Sequence, residues 1–486
     1  MPAAARGPRR AGLWRHRDFL LLWTGQSVSE VGSAVTTIAV PLTAVVVLRA
    51  SIFQIGLLSA ATTIPFLLIA LPAGLAVDRV AKRGLMICCD AARMLIIGSV
   101  PVAAALGDLT LFQLYAVAVA AGVLTVFFDV AYQSYTPALI DRDQLPDGNG
   151  KLAATQSFAQ VAGPGLGGAL FGLLRAGALT ADAASYAVST ISLLLIRTRE
   201  AGSRAEPAAG RARPPLRTEI FAGLSFVVRH PILSKIAACT ATSNLFSAMA
   251  FALEIIFLIR VLHVRPEYAG LLLAIGSLGG VAAGIASGPM TRWIGSARII
   301  WVSVLSFGAV GLLMPLAEPG WRIALFAAGF AGFAFCGVLY NIAQLSFRQA
   351  ICPPGLLGRM NAAIRWIVWG TLPLGGLIGG ALGTVLGVRA TIWIGVSGSW
   401  AAGFLVLFSP LRQLRDIPGP DDEHSPGPAA GPGPAAGPGG NSPPEPEPRR
   451  PPGRGQGSPP GPGPRRPPGP GRRSEPGAAR PAIQEP

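Results

Sequence analysis

Between residues 18 and 409 the chain runs through one apolar segment after another, each long enough to cross a lipid bilayer. A helix spanning roughly 30 Å of hydrocarbon needs about 20 apolar residues, so every such segment is read as a transmembrane helix. Twelve are expected, over residues 18–46, 52–77, 84–106, 109–133, 151–174, 177–196, 232–260, 267–290, 297–316, 321–346, 360–384 and 388–409. The expected fold is an all-α membrane protein. Its first helix is read as retained, because the basic start, Met1 to Arg17, lacks a short apolar region ending in a cleavage site.

A second pattern is laid over the first. Gln54-Ile55-Gly56-Leu57-Leu58-Ser59-Ala60 is echoed by Tyr268-Ala269-Gly270-Leu271-Leu272-Leu273-Ala274. At nearly the same offset Asp129-Val130-Ala131 pairs with Asn341-Ile342-Ala343, Ser134-Tyr135 with Ser346-Phe347, and Gly167-Gly168-Ala169-Leu170 with Gly379-Gly380-Ala381-Leu382. The chain therefore reads as two pseudo-symmetric six-helix bundles, residues 18–196 and 231–411, joined by a polar linker at 197–230. Duplication in a membrane protein points to a transporter, since such folds place a substrate site between related halves.

Charged residues are 13% of the chain and hydrophobic ones 51%, far from the balance of a soluble domain. The net charge of +16 is spread between apolar segments without an aromatic-basic stripe, so nucleic acid is not an expected partner. Topology explains it better. Arg and Lys concentrate at residues 6–17, 79–83, 142–151, 199–229, 292–298 and 348–359, all on one side of the predicted helices. The other side holds chiefly Arg49, Arg175, Arg265, Arg322 and Arg389. The positive-inside rule then places both termini in the cytoplasm, with the chain in the plasma membrane, that is, a bacterial cell membrane. Residues 412–486, rich in Pro, Gly, Ala and Arg, have too little apolar surface to fold and are expected to be a disordered tail. The five cysteines lie in or beside apolar segments with no metal-ligand spacing, so neither a metal site nor a cofactor is expected.

Three motifs carry more specific information. Gly74-Leu75-Ala76-Val77-Asp78-Arg79-Val80-Ala81-Lys82-Arg83 resembles the signature loop of the major facilitator superfamily, with Ala81 where that family usually has Gly. Gly74 would permit close helix approach while Asp78, Arg79, Lys82 and Arg83 cap helix ends and form ion pairs, making the loop a conformational latch. A degenerate copy without the acid surrounds Gly288, Arg292 and Gly295. Gly163-Pro164-Gly165-Leu166-Gly167-Gly168 resembles the core of the motif associated with antiporters of this superfamily, a combination suited to a hinge, with Ala159 at one usual glycine. Gln26, Ser29 and Gly32, Asp90 and Arg93, Asp182-Ala183-Ala184-Ser185-Tyr186 and Gly358-Arg359-Met360 resemble the efflux subgroup that includes enterobactin exporters and macrolide efflux proteins. The resemblance covers residues 18–409 and implies a monomeric exporter. The Arg of the fourth-helix motif of drug–proton antiporters has no evident counterpart.

Ionisable side chains within spans are expensive and are functional candidates by default. Glu30, Asp129 and Glu254 stand out as sites of proton exchange or substrate binding, Glu30 and Glu254 facing a central cavity from opposite halves. Asp90 and Arg93 are expected to join Asp78 and Arg79 in an ion-pair cluster at the inner mouth, to which Arg365 either adds or meets an anionic substrate. There is no nucleotide-binding Gly-rich loop, and the four histidines form no zinc-protease pair, so neither an ATP-driven pump nor an enzyme is expected. Duplicated halves favour rocking transport over a channel. The expected function is secondary active export of an amphiphilic small molecule in exchange for protons, with solute uptake as the alternative direction.

Overall fold

A computed structural model describes residues 13, 16–77, 80–140, 144–198, 224–352 and 357–416. These belong to one unit, Met1–Ser425; the second unit, Pro426–Pro486, lies outside the described residues. So do most of the basic start, most of the linker and all but the beginning of the tail. The first half contains α1 (Arg17–Leu42), α2 (Ile52–Val77), α3 (Lys82–Leu106), α4 (Leu111–Leu139), α5 (Leu145–Leu174) and α6 (Leu179–Leu195). The second contains α7 (Leu233–Ile256), α8 (Pro266–Ile294), α9 (Arg298–Val302), α10 (Ala324–Ile351), α11 (Leu357–Leu386) and α12 (Val388–Ala401). Local chemistry fixes several ends. His16 Nδ1 accepts the Phe19 amide at 3.1 Å to open α1, Thr110 Oγ1 accepts the Gln113 amide at 3.2 Å to open α4, and Gly107, at φ 83°, ends α3.

Two differences from the sequence expectation have physical causes. Helices α4, α5, α8 and α10 run four to six residues past the expected spans, at 139, 145, 294 and 351, because their polar end turns, the first of α5 and the last of the others, are helical yet too hydrophilic to read as membrane span. Arg348, expected in a loop, is therefore helical, and Lys151, expected to open its span, lies inside α5, where it pairs with Asp147 at 2.5 Å. The ninth span is not one α-helix. After α9 it continues as a π turn, Ser303–Phe307, and a 3-10 stretch, Gly308–Leu316, that contains Gly308, Gly311 and Pro315.

The duplication is visible in the packing. In the first half α1 packs on α5 and α6, α2 on α4, and α3 on α4 and α6. In the second, α7 packs on α11 and α12, α8 on α10, and the ninth span on α10 and α12. It extends to irregular backbone. Helix α1 ends in a π turn, Thr43–Val47, and α7 in another, Phe257–Val261. Each is followed by a non-glycine residue in the left-handed region, Arg49 at φ 50° and His263 at φ 54°. The closing bonds match as well: Ala50 N to Ala44 O at 2.8 Å, and Val264 N to Leu258 O at 2.9 Å.

The halves meet chiefly through two crossings, α2 on α11 and α5 on α8, with a smaller contact of α2 on α7. We call the face bearing the α1–α2 and α7–α8 turns distal and the opposite face proximal. Near the distal face Gly56 lies against Gly380, where an added Cβ would sit 2.7 Å from the Gly376 carbonyl oxygen; Gly168 lies against Gly270, where it would sit 2.8 Å from that Cα. Repeat-equivalent glycines thus form equivalent crossings, and only glycine allows backbones this close. Arg260, after α7, adds one contact without a counterpart, donating to the Ala50 carbonyl at 2.7 Å.

Candidate functional site

Below these crossings lie two cavities. The first, about 510 Å³, is lined by α1 to α6 and by Phe251, Ala252, Glu254 and Ile255 of α7. The second, about 780 Å³, is lined by α7, the ninth span and α10 to α12. Phe251 lines both, so the two are neighbours across the junction of the halves.

The first cavity gathers the three acids singled out from sequence: Glu30, Asp129 and Glu254 all line it. Gln26 Nε2 donates to Glu30 Oε1 at 3.0 Å, one turn away on α1. Asp129, half-buried on α4, feels the charges of Arg93 and Glu30 from its own half and of Arg365 from the other. Glu254 Oε2 is buried with no hydrogen-bond partner among the described residues. Glu30 and Glu254 are not repeat equivalents: at the offset relating Gln54 to Tyr268, Glu30 corresponds to Asn244, which lines the second cavity.

Asp90 and Arg93 were expected beside Asp78 and Arg79, which lie outside the described residues. The partners that the structure shows are on α4 and α6 instead. Arg93 forms an ion pair with Asp90 and donates to Thr125 Oγ1 at 3.3 Å, while its guanidinium lies 4.4 Å from the ring centroids of both Phe128 and Tyr186. Ser189 donates to Asp90 Oδ2 at 2.6 Å. Four helices are thereby tied together, since Tyr186 OH also bonds Ser33 Oγ of α1 at 2.8 Å. Beside them Thr36 donates to Asp182 Oδ2 at 2.5 Å and Ser185 to its Oδ1 at 3.1 Å. Asp182 lines the cavity yet was not singled out as a candidate; its signal was an acid inside a span, hidden by its position near the start of the helix.

Of the latch residues, Gly74 falls near the end of α2 and Lys82 opens α3. Arg83 caps α6, its Nε and Nη2 donating to the Leu193 and Leu194 carbonyls, both at 2.9 Å. Of the hinge residues, Gly163 and Gly167 face α1, where an added Cβ at Gly167 would lie 2.9 Å from the Val35 carbonyl oxygen, while Gly168 faces α8. Pro164 lies within the continuous α5. The same spacing recurs on α11, where Gly375 and Gly379 face α7 and Gly380 faces α2. These glycines therefore build helix crossings in both halves.

The second cavity has different chemistry. At the offset relating Gly168 to Gly380, Asn341 stands where the first half has Asp129. The charged residues lining it are Arg348 and Arg365, with Gln344, Tyr340 and Asn244 as polar neighbours. Hydropathy left Arg348 outside the tenth span, so this residue was missed.

A profile of the Major Facilitator Superfamily matches residues 22–373. The chain belongs to this superfamily. As a member it is a multi-pass membrane transporter and not an enzyme. Similar proteins include the multidrug efflux pump Tap of Mycolicibacterium fortuitum, 24% identical over 81% of this chain and 96% of Tap. The enterobactin exporter EntS of Salmonella typhimurium is 24% identical over 84% of this chain and 96% of EntS. Among solved structures, a bacterial homologue of the iron transporter ferroportin in the inward-facing state superposes with a TM-score of 0.65 at 14% identity, covering 82% of this chain and 99% of that one.

Proposed function

We propose that this facilitator is a secondary active exporter of amphiphilic small molecules that exchanges protons for its substrate by alternating access. The observation that carries the reading is a gathering of acids beside close crossings of the halves: glycine pairs let α2 meet α11 and α5 meet α8 near the distal face, while Glu30, Asp129 and Glu254 line one cavity. Carboxylates held in a cavity among apolar helices can take up or release a proton as the cavity changes the face it opens to. Rocking of the halves about the two crossings supplies that change. Gly163, Pro164, Gly167 and Gly168 form the surface on which α5 moves against α1 and α8. The loop at Gly74, Asp78, Arg79, Lys82 and Arg83 latches the proximal ends, with Arg83 holding α6, and the Asp90–Arg93 pair holds the cavity wall.

Export is the direction carried by the names of the relatives, one a multidrug efflux pump and the other an enterobactin exporter. The excess of Arg and Lys on the proximal side supports cytoplasmic termini in a bacterial cell membrane. Since one chain encloses both cavities, a monomer suffices.

The test is efflux of amphiphilic dyes from proteoliposomes under an imposed pH gradient. Efflux should follow the gradient in the native chain and become indifferent to it in Glu30→Gln. Transport that ignores both the gradient and the substitution overturns the proton exchange, and accumulation in place of efflux overturns the direction.

A further inference from the structure

Among the described residues no acid lines the second cavity. Arg348 and Arg365 line it, and the second half of the described chain carries four acids in all, Glu254, Glu267, Glu318 and Asp416, none of which lines this cavity. Glu254 lines the first cavity, Glu267 and Glu318 pair with Arg265 and Arg322 at the distal ends, and Asp416 binds Ser296 past α12. Arg365 feels Asp129 across the junction, but no ion pair joins it to a carboxylate among the described residues. Arg348 is 9% exposed, and its Nε is buried without a hydrogen-bond partner among the described residues. The Oε1 of Gln344, one turn earlier on α10 and 3% exposed, is likewise unpartnered. Its Nε2 is already donated to Asn341 Oδ1 at 2.9 Å.

A buried guanidinium without a partner is costly, and unpaired buried polar atoms in a native structure call for an explanation. The walls supply the rest. Trp369 lies beneath Arg365, with the guanidinium 5.0 Å from its ring centroid, and Trp400, Phe251 and Phe333 complete an aromatic lining. We propose that the cavity within the second half is a subsite for the anionic group of an amphiphile, with Arg348 and Arg365 binding a carboxylate, sulfonate or phosphate and the aromatic residues taking the attached apolar body. Two forked donors suit such a planar or tetrahedral oxyanion. The inference rests on the proposed transport of amphiphiles and narrows their class to those carrying a negative charge. It also divides the work: acids lining the first cavity serve protons, and arginines lining the second hold substrate.

Binding tests this without transport. The full-length protein in phosphatidylcholine nanodiscs is titrated calorimetrically with 2-naphthoate and with the corresponding cation, 2-naphthylmethylammonium, against empty discs. Saturable binding of naphthoate alone is expected, weakened about tenfold or more by Arg348→Gln and by Arg365→Gln, a loss of roughly 1.4 kcal/mol per tenfold. Arg348→Lys should lie between Arg348→Gln and the native chain. Arg365 is exposed to the cavity, so its variant reads the site even if Arg348→Gln folds poorly. Discs containing phosphatidylglycerol separate the sources of the anion: competition with naphthoate assigns the site to a lipid headgroup, and undiminished binding assigns it to a soluble amphiphile. Equal binding of the cation, absence of naphthoate binding, or naphthoate binding indifferent to both glutamine variants overturns the proposal. Because no gradient is applied, failure of proton-driven efflux leaves this result standing, and the reverse holds equally.

Discussion

At the scale of single residues, the buried pair Asp90–Arg93 decides how the first half is held. Asp90 is fully buried and Arg93 4% exposed, and between them they engage α4 and α6 through Thr125, Ser189 and the two flanking rings. Truncating one member of such a pair strands a charge at a cost of about 3–5 kcal/mol, whereas neutralising both removes most of that penalty. Arg93→Gln should therefore lower the unfolding temperature in detergent by several degrees, and the double variant Arg93→Gln with Asp90→Asn should recover at least half of the loss. Additive losses would show that the pair acts by packing alone. The sequence made both residues visible as charges inside a span, but their partners were not readable, because Ser189 and Thr125 are distant in the chain and look like ordinary small polar residues. Arg348 was harder still. Its charge excluded it from a hydropathy window, although helical periodicity carries α10 beyond it.

At the scale of elements, equivalent glycines meet at equivalent crossings, which a single-chain repeat alone could suggest only as conserved packing positions. A Cβ at Gly168 would lie 2.8 Å from the Gly270 Cα and 3.1 Å from the Pro266 carbonyl oxygen, so α5 and α8 must separate to admit alanine. Spin labels at Leu174 and Tyr268, exposed residues near the distal ends of α5 and α8, report that separation in a background with the five cysteines replaced. Gly168→Ala should move the distance distribution outward and broaden it, favouring distal opening; an unchanged distribution would mean that the crossing does not hold the closed end. The helices themselves were legible because membrane length and hydropathy fix them. The π turns were not, since Thr43–Val47 and Phe257–Val261 are apolar stretches that continue a helix equally well. Their paired occurrence at the distal ends becomes apparent only from the backbone hydrogen bonds.

At the scale of the whole molecule, the scaffold kept its two-fold symmetry while the charges diverged. Glu30 and Asp129 stand opposite Asn244 and Asn341, and the arginines of the second cavity have Thr136 and Ala153 as their counterparts at the offset relating Asp129 to Asn341. A symmetric frame can rock between two equivalent closures, and an asymmetric lining gives the two faces different chemistry. Which face is which depends on orientation, and this is directly measurable. Glu318 lies at the distal turn before α10, and Arg298 opens α9 at the proximal face. If basic proximal segments stay in the cytoplasm, a membrane-impermeant maleimide should label Glu318→Cys in intact cells and Arg298→Cys only after permeabilisation. The reverse pattern would put the glycine-sealed end in the cytoplasm. The cavities would then open away from the compartment that supplies an exported substrate, and the proposed direction of transport would fall with the topology.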